Sequence, residues 1–183
     1  AITLGASIHV LHSIGMELIL EEDLALTNYT INEMKKYDDI YIYGDTDLKE
    51  CTRTGTISFN IYGLDHGLVA SILNDYFNIA VRNECFCAHP YVEKMLHNTH
   101  KNQINSLDCK DDHLKWTVES WMGMVRASFG IYNTKKDIDH LINALSNIID
   151  NKDYYIKNYH KDLNGDYFHN EFQFSSKDFF SLT

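Results

Sequence analysis

The chain has 183 residues, with 16 Lys and Arg against 26 Asp and Glu, for a formal net charge of −10 at pH 7. Hydrophobic residues at 44% and charged residues at 23% are ordinary for one globular domain and exclude disordered, collagenous and low-complexity classes. The acidic balance argues against a nucleic-acid partner, whose binding rests on clustered Lys and Arg. No run of about 18 apolar residues marks a transmembrane helix, so no membrane partner is expected. Four cysteines, Cys51, Cys85, Cys87 and Cys109, are too few and too uneven for a disulfide scaffold, and no secretory signal is visible. The expectation is a cytoplasmic protein with reduced thiols.

In chain order, residues 1–36 predict two helical pieces broken at Gly15. Leu20, Leu24, Thr27, Ile31 and Met34 recur at helical spacing in the second piece. Residues 40–43, β-branched and aromatic and closed by Gly44, predict a short edge strand. Residues 54–62 alternate, with Ile57, Phe59 and Ile61 on one side and Thr56, Ser58 and Asn60 on the other, the pattern of a half-buried strand. Asp65 is placed to cap a helix carrying Leu68, Val69, Ile72, Leu73 and Tyr76.

Residues 77–82 predict a further strand, and residues 123–130 another, with Val125, Ala127 and Phe129 opposite Met124, Arg126 and Ser128. Between them, 93–120 predicts a polar, His-rich and partly helical excursion. Thr134 and Asp137 have the spacing of a capping box, opening a helix with Ile138, Leu141, Ile142, Leu145, Ile148 and Ile149 on one face. These periods predict an α+β fold, a small and mainly antiparallel sheet covered by helices on one face. Residues 1–150 read as one domain and 151–183 as an extension of uncertain structure.

Two places carry the chemistry. The segment from Arg82 to Pro90 leaves a predicted strand, sets Cys85, Cys87 and His89 within five residues and ends at the chain's one proline. A loop thiol near an arginine is suited to nucleophilic work as a thiolate; on residue type alone both cysteines more often read as small hydrophobes packed at a strand end. A metal or protein-binding role for the Cys- and His-rich stretch 85–113 is the alternative. Its Cys-x-Cys spacing departs from the usual zinc hairpin, and no metal site is assigned. Arg126, on the polar side of its strand, suits bidentate recognition of a carboxylate; the commoner case for such an arginine is a solvated surface ion pair.

The run Arg82-Asn83-Glu84-Cys85-Phe86-Cys87-Ala88-His89-Pro90, followed by Gly123-Met124-Val125-Arg126-Ala127-Ser128-Phe129-Gly130-Ile131-Tyr132-Asn133-Thr134, resembles the C-terminal portion of class V aminotransferase-family enzymes. These pyridoxal-phosphate proteins include cysteine desulfurases and selenocysteine lyases. The resemblance extends over residues 1–150 and implies the small C-terminal domain of a longer, homodimeric enzyme acting on an amino-acid substrate. It implies that Arg126 clamps the substrate α-carboxylate, that Arg82 opens the active-site loop, and that Cys87 is the catalytic persulfide-forming thiol of the desulfurase branch. It also implies that pyridoxal 5′-phosphate is bound through a lysine outside this chain, so that no residue here anchors the cofactor and the chain alone is inactive. The loop departs from the family pattern at Glu84, where the family has Gly, and at Cys85-Phe86, where it has a His pair. A Gly at residue 84 can adopt backbone angles that Glu disfavours.

Overall fold

The computed structural model describes residues 2–47, 53–104 and 123–172, with backbone alone over 97–104. Helix α1 (Ile2–Ile14) and helix α2 (Met16–Met34) meet at an 81° bend at Gly15, whose φ of +98° a side chain would resist. The predicted break therefore stands. Of the predicted α2 face, Thr27, Ile31 and Met34 are buried together with Leu26 and Thr30, whereas Leu20 is exposed. The half of α2 before Leu26 buries nothing, and neither does α1. Among the described residues no single helix is long and apolar enough to cross a membrane.

Strands β1 (Ile40–Ile42), β2 (Thr56–Ile61) and β3 (Val125–Ser128) form one antiparallel sheet in the order β1-β2-β3. Ile42 pairs with Phe59, and Phe59 with Val125. Helix α3 (His66–Phe77) starts at Asp65, whose carboxylate accepts the Gly67 N–H at 2.7 Å. Helix α4 (His89–Ile104) has Pro90 in its first turn, where a missing N–H leaves no helical bond unmade. Helix α5 (Lys135–Asp150) begins with the expected Thr134–Asp137 pairing: the Thr134 N–H and hydroxyl donate to the Asp137 carboxylate at 2.7 and 3.1 Å.

The core lies where α2, α3 and α5 meet one face of the sheet. Ile57 and Phe59 of β2, Val125 of β3, Ile31, Val69, Ile72, Leu145 and Ile148 are fully buried. Each such side chain contributes about 1.5–3 kcal/mol relative to exposure. Alternation sends Asn60, Tyr43 and Met124 to the other side. There Tyr43 and Met124 join Val92 and Leu96 of α4 in a smaller cluster, with Cys85 and Phe86 packed against it. The fold is thus α+β with small antiparallel sheets, as the periods predict.

The strand expected over 77–82 is corrected. Helix α3 runs through Phe77, and Asn78 turns left-handed (φ +54°) to close it, its N–H returning to the Asn74 carbonyl. A left-handed residue after a helix uses up the chain that would have extended the strand. Only Arg82 pairs, through an isolated antiparallel bridge to Arg126.

After Asp150 the chain forms helix α6 (Lys152–Asn158) and a ribbon of β4 (Tyr159–Lys161) and β5 (Tyr167–His169). Tyr155 and Tyr159 enter the core, and the Tyr159 hydroxyl donates to Asp75 of α3 at 2.8 Å. Lys161 reaches the capping carboxylate of Asp65 at 3.1 Å.

Candidate active site

Arg82 and Arg126 form a fully bonded antiparallel pair: Arg82 N–H donates to the Arg126 carbonyl at 3.0 Å, and Arg126 N–H to the Arg82 carbonyl at 2.6 Å. Opposed residues of such a pair send their side chains to the same face. Across β2 the row continues through Ser58, paired with Arg126, to Tyr43, whose N–H donates to the Ser58 carbonyl at 2.9 Å. Asn60 stiffens this face from beneath. Its side-chain N–H₂ donates to the Tyr43 hydroxyl at 3.1 Å and the Gly123 carbonyl at 2.9 Å, and its oxygen accepts the Val125 N–H at 3.3 Å.

Neither Arg82 nor Arg126 pairs with a carboxylate among the described residues. Arg126 is half-buried, with its Nε enclosed and without a hydrogen-bond acceptor among those residues. Its guanidinium carbon lies 4.9 Å from the centre of the Phe86 ring. Two guanidinium groups on one rigid face suit a carboxylate, which relieves their mutual repulsion and accepts charge-assisted hydrogen bonds.

The loop that supplies Phe86 also carries Cys87, an exposed thiol; Cys85 is half-buried. Burial, then Glu84 and Glu93, push the Cys85 thiol above its ordinary pKa. The loop is held at Met124, whose N–H donates to the Glu84 carbonyl at 3.1 Å, and closes where Ala88 N–H donates to the Cys85 carbonyl at 2.7 Å. Glu84, Phe86 and Cys87 all have positive φ (+79°, +52° and +60°). Each such non-glycine residue costs on the order of 1 kcal/mol, and strain of this kind collects at functional loops. Glu84 adopts the backbone expected to disfavour it.

His66 backs the loop. A Cβ placed on Gly123 would lie 2.5 Å from His66 Nε2 and 2.8 Å from the Glu84 Cα, so Gly is the residue that lets helix, loop and strand close together. Burial lowers the His66 pKa; Asp65 raises it, Lys161 lowers it and Glu84 raises it in turn. Beside it, a cleft of about 400 Å³ is lined by Asp65, His66, Asn83, Glu84, Lys161 and Tyr167 among others.

The three residues singled out in the sequence, Arg82, Cys87 and Arg126, are thus assembled on two adjoining segments. Asn60 and His66 were not singled out, and Phe86 only as a departure from the family's loop pattern. An aromatic residue between two cysteines and an amide on the polar side of an alternating strand are the local signals for Phe86 and Asn60.

The described residues do not fit pyridoxal phosphate, which needs an imine-forming lysine, a phosphate cradle and a partner for the pyridine nitrogen. Lys152 and Lys161 are paired with Asp39 and Asp65 at 2.7 and 3.1 Å. A phosphate in the cleft would face Asp65, Asp75, Glu84 and Asp166. What the paired guanidinium groups suit is a carboxylate. Among the described residues no three His, Cys, Asp or Glu side chains converge on a metal position. Cys109 and His113 lie outside the described residues, as do Cys51 and the excursion beyond residue 104.

The chain belongs to the class V aminotransferases, a pyridoxal-phosphate-dependent family. The family's sequence profile matches residues 1–141. Similar proteins include probable cysteine desulfurases. A probable cysteine desulfurase of Staphylococcus epidermidis is 30% identical over 148 residues, and one of Staphylococcus aureus 34% over 145. Each match covers 79% of this chain and 28% of the relative, so the chain spans less than a third of their length. The apo cysteine desulfurase of Thermococcus onnurineus superposes with a TM-score of 0.62 at 26% identity, covering 80% of this chain and 30% of that one.

Proposed function

We propose that this chain is the substrate-binding small domain of a pyridoxal-phosphate-dependent enzyme of the cysteine desulfurase type, which acts on an amino acid as a homodimer. The cofactor and its lysine belong to residues outside those described here. Arg126, with Arg82 opposite it, receives the substrate α-carboxylate. Cys87 is the thiol that takes up sulfur, carried on a loop while the arginines stand on the sheet. This division is physically sensible, because a clamp needs a rigid element and a sulfur-delivering thiol needs one that moves.

The observation that carries the reading is the same-face pairing of Arg82 and Arg126 beside the Cys87 loop. Steady-state kinetics of the enzyme that contains this chain, with L-cysteine as substrate, tests it. Arg126→Ala is expected to raise KM about ten- to hundredfold, the weight of a charge-assisted clamp. Cys87→Ala is expected to abolish sulfide release. Full desulfurase activity in Cys87→Ala would remove Cys87 as the thiol that takes up sulfur, and an unchanged KM in Arg126→Ala would remove the clamp.

A further inference from the structure

Phe86 belongs neither to the arginine pair nor to the thiol, yet it touches the first and adjoins the second. Its ring packs against the Tyr43, Val92, Leu96 and Met124 cluster and lies 4.9 Å from the Arg126 guanidinium carbon. We propose that Phe86 is a positioning residue that fixes the direction of the Arg126 guanidinium and ties it to the loop bearing Cys87. The proposal rests on the reading of Arg126 as the carboxylate clamp.

An arginine side chain is long and loses much rotamer freedom when held in one direction. Among the described residues the Arg126 Nε has no acceptor, and no carboxylate pairs with its guanidinium. Among the described residues the ring is what holds the group. An aromatic face attracts a guanidinium through its quadrupole and leaves the N–H edge open for bidentate contact with a carboxylate. Residues 85–88 close a tight turn with both central residues left-handed, Phe86 at +52° and Cys87 at +60°. Positive φ at both central positions defines the type I′ turn, which ordinarily uses Asn and Gly. In so tight a turn Cys87 cannot swing far without moving its neighbour. When the thiol leaves its resting place, the ring leaves Arg126 and the carboxylate is held less tightly. Tyr would preserve this coupling; an aliphatic residue would fill the apolar seat but lose it.

The chain contains three arginines, Arg53, Arg82 and Arg126, so NMR signals of the Nε–H groups are assigned by three Arg→Lys variants. The Arg126 signal is expected to be ring-shifted in the wild-type chain and in Phe86→Tyr, and to lose that shift in Phe86→Leu and Phe86→Met. Backbone amide signals of 125–128 report that the sheet is intact in each variant. Titration with L-alanine, a probe that offers only an amino acid's head group, is expected to move the Arg126 signal in the wild type and Phe86→Tyr. Its apparent Kd should rise about five- to tenfold in the aliphatic variants, the weight of a partly desolvated stack. An Arg126 shift and alanine Kd indifferent to Phe86 would overturn the positioning role and leave the clamp standing. A ring shift that depends on Phe86, with no alanine response at Arg126 in any form, would overturn the clamp and this role with it.

Discussion

Arg82 and Arg126 face each other across a two-bond antiparallel bridge and send two positive charges out of the same side of the sheet. Like charges directly opposed on a sheet destabilise it, by a few tenths of a kcal/mol up to about 1. The pair therefore makes sense as a binding device rather than as a stabilising one. Arg82→Thr should leave the melting temperature of the chain unchanged or slightly raised while weakening L-alanine binding. A drop of more than a few degrees in thermal unfolding would show that Arg82 serves the fold instead.

Glu84 sits at φ +79° where a side chain is disfavoured. Glu84→Gly should relieve this and stabilise the chain by roughly 1 kcal/mol, a rise in Tm of about 2–4 °C for a domain of this size. Calorimetry of the two proteins checks it, and a lower Tm in the variant would refute the strain.

Gly123 has the opposite sensitivity. A methyl there meets His66 and the backbone of Glu84. Gly123→Ala should destabilise by about 1–3 kcal/mol, as overpacking does, and should shift the amide signals of residues 84–87. Urea titration gives the first quantity and an amide spectrum the second.

His66 links stability to pH. Its folded pKa lies below the ordinary histidine value, chiefly through burial. A depressed histidine binds its proton more readily unfolded than folded, so its contribution is complete above the unfolded value of about 6.5 and is lost as pH falls through the lower, folded value. His66→Gln should reduce the loss of urea midpoint between pH 7.5 and pH 5 relative to wild type. Equal losses in the two proteins would place the acid sensitivity elsewhere.

Much of this was legible in the sequence where the signal is local. The alternation around Phe59 and the Thr134–Asp137 box are short-range patterns, and they produced β2 and α5 close to their observed bounds. Residues 77–82 misled because an apolar, β-branched run resembles a strand, whereas Asn78 ends a helix there and leaves only Arg82 to pair. Residues 151–172 were opaque because their order comes from distant partners, Tyr159 with Asp75 and Lys161 with Asp65. Within the site, the residue types were visible in two separate motifs. Their alignment, Arg82 opposite Arg126 and Phe86 beneath it, is a matter of register and turn geometry that no local pattern encodes.

The central place of β2 has a consequence for how the protein is made. One neighbour, β1, precedes it closely in the chain, but the other, β3, emerges only once synthesis has passed Ser128. Later still come the groups that clasp the early helix and sheet: Asp139, accepting from Tyr29 across 110 residues, and Lys152, donating to Asp39 across 113. Contacts so far apart in sequence are slow to form. During that interval one edge of β2 stands open and the core that holds Ile57 and Phe59 lacks Leu145 and Ile148 of α5, and such edges invite pairing with other chains. The nascent protein thus passes through a vulnerable stage whose length is set by the span between β2 and β3, and slower translation through that span would lengthen it.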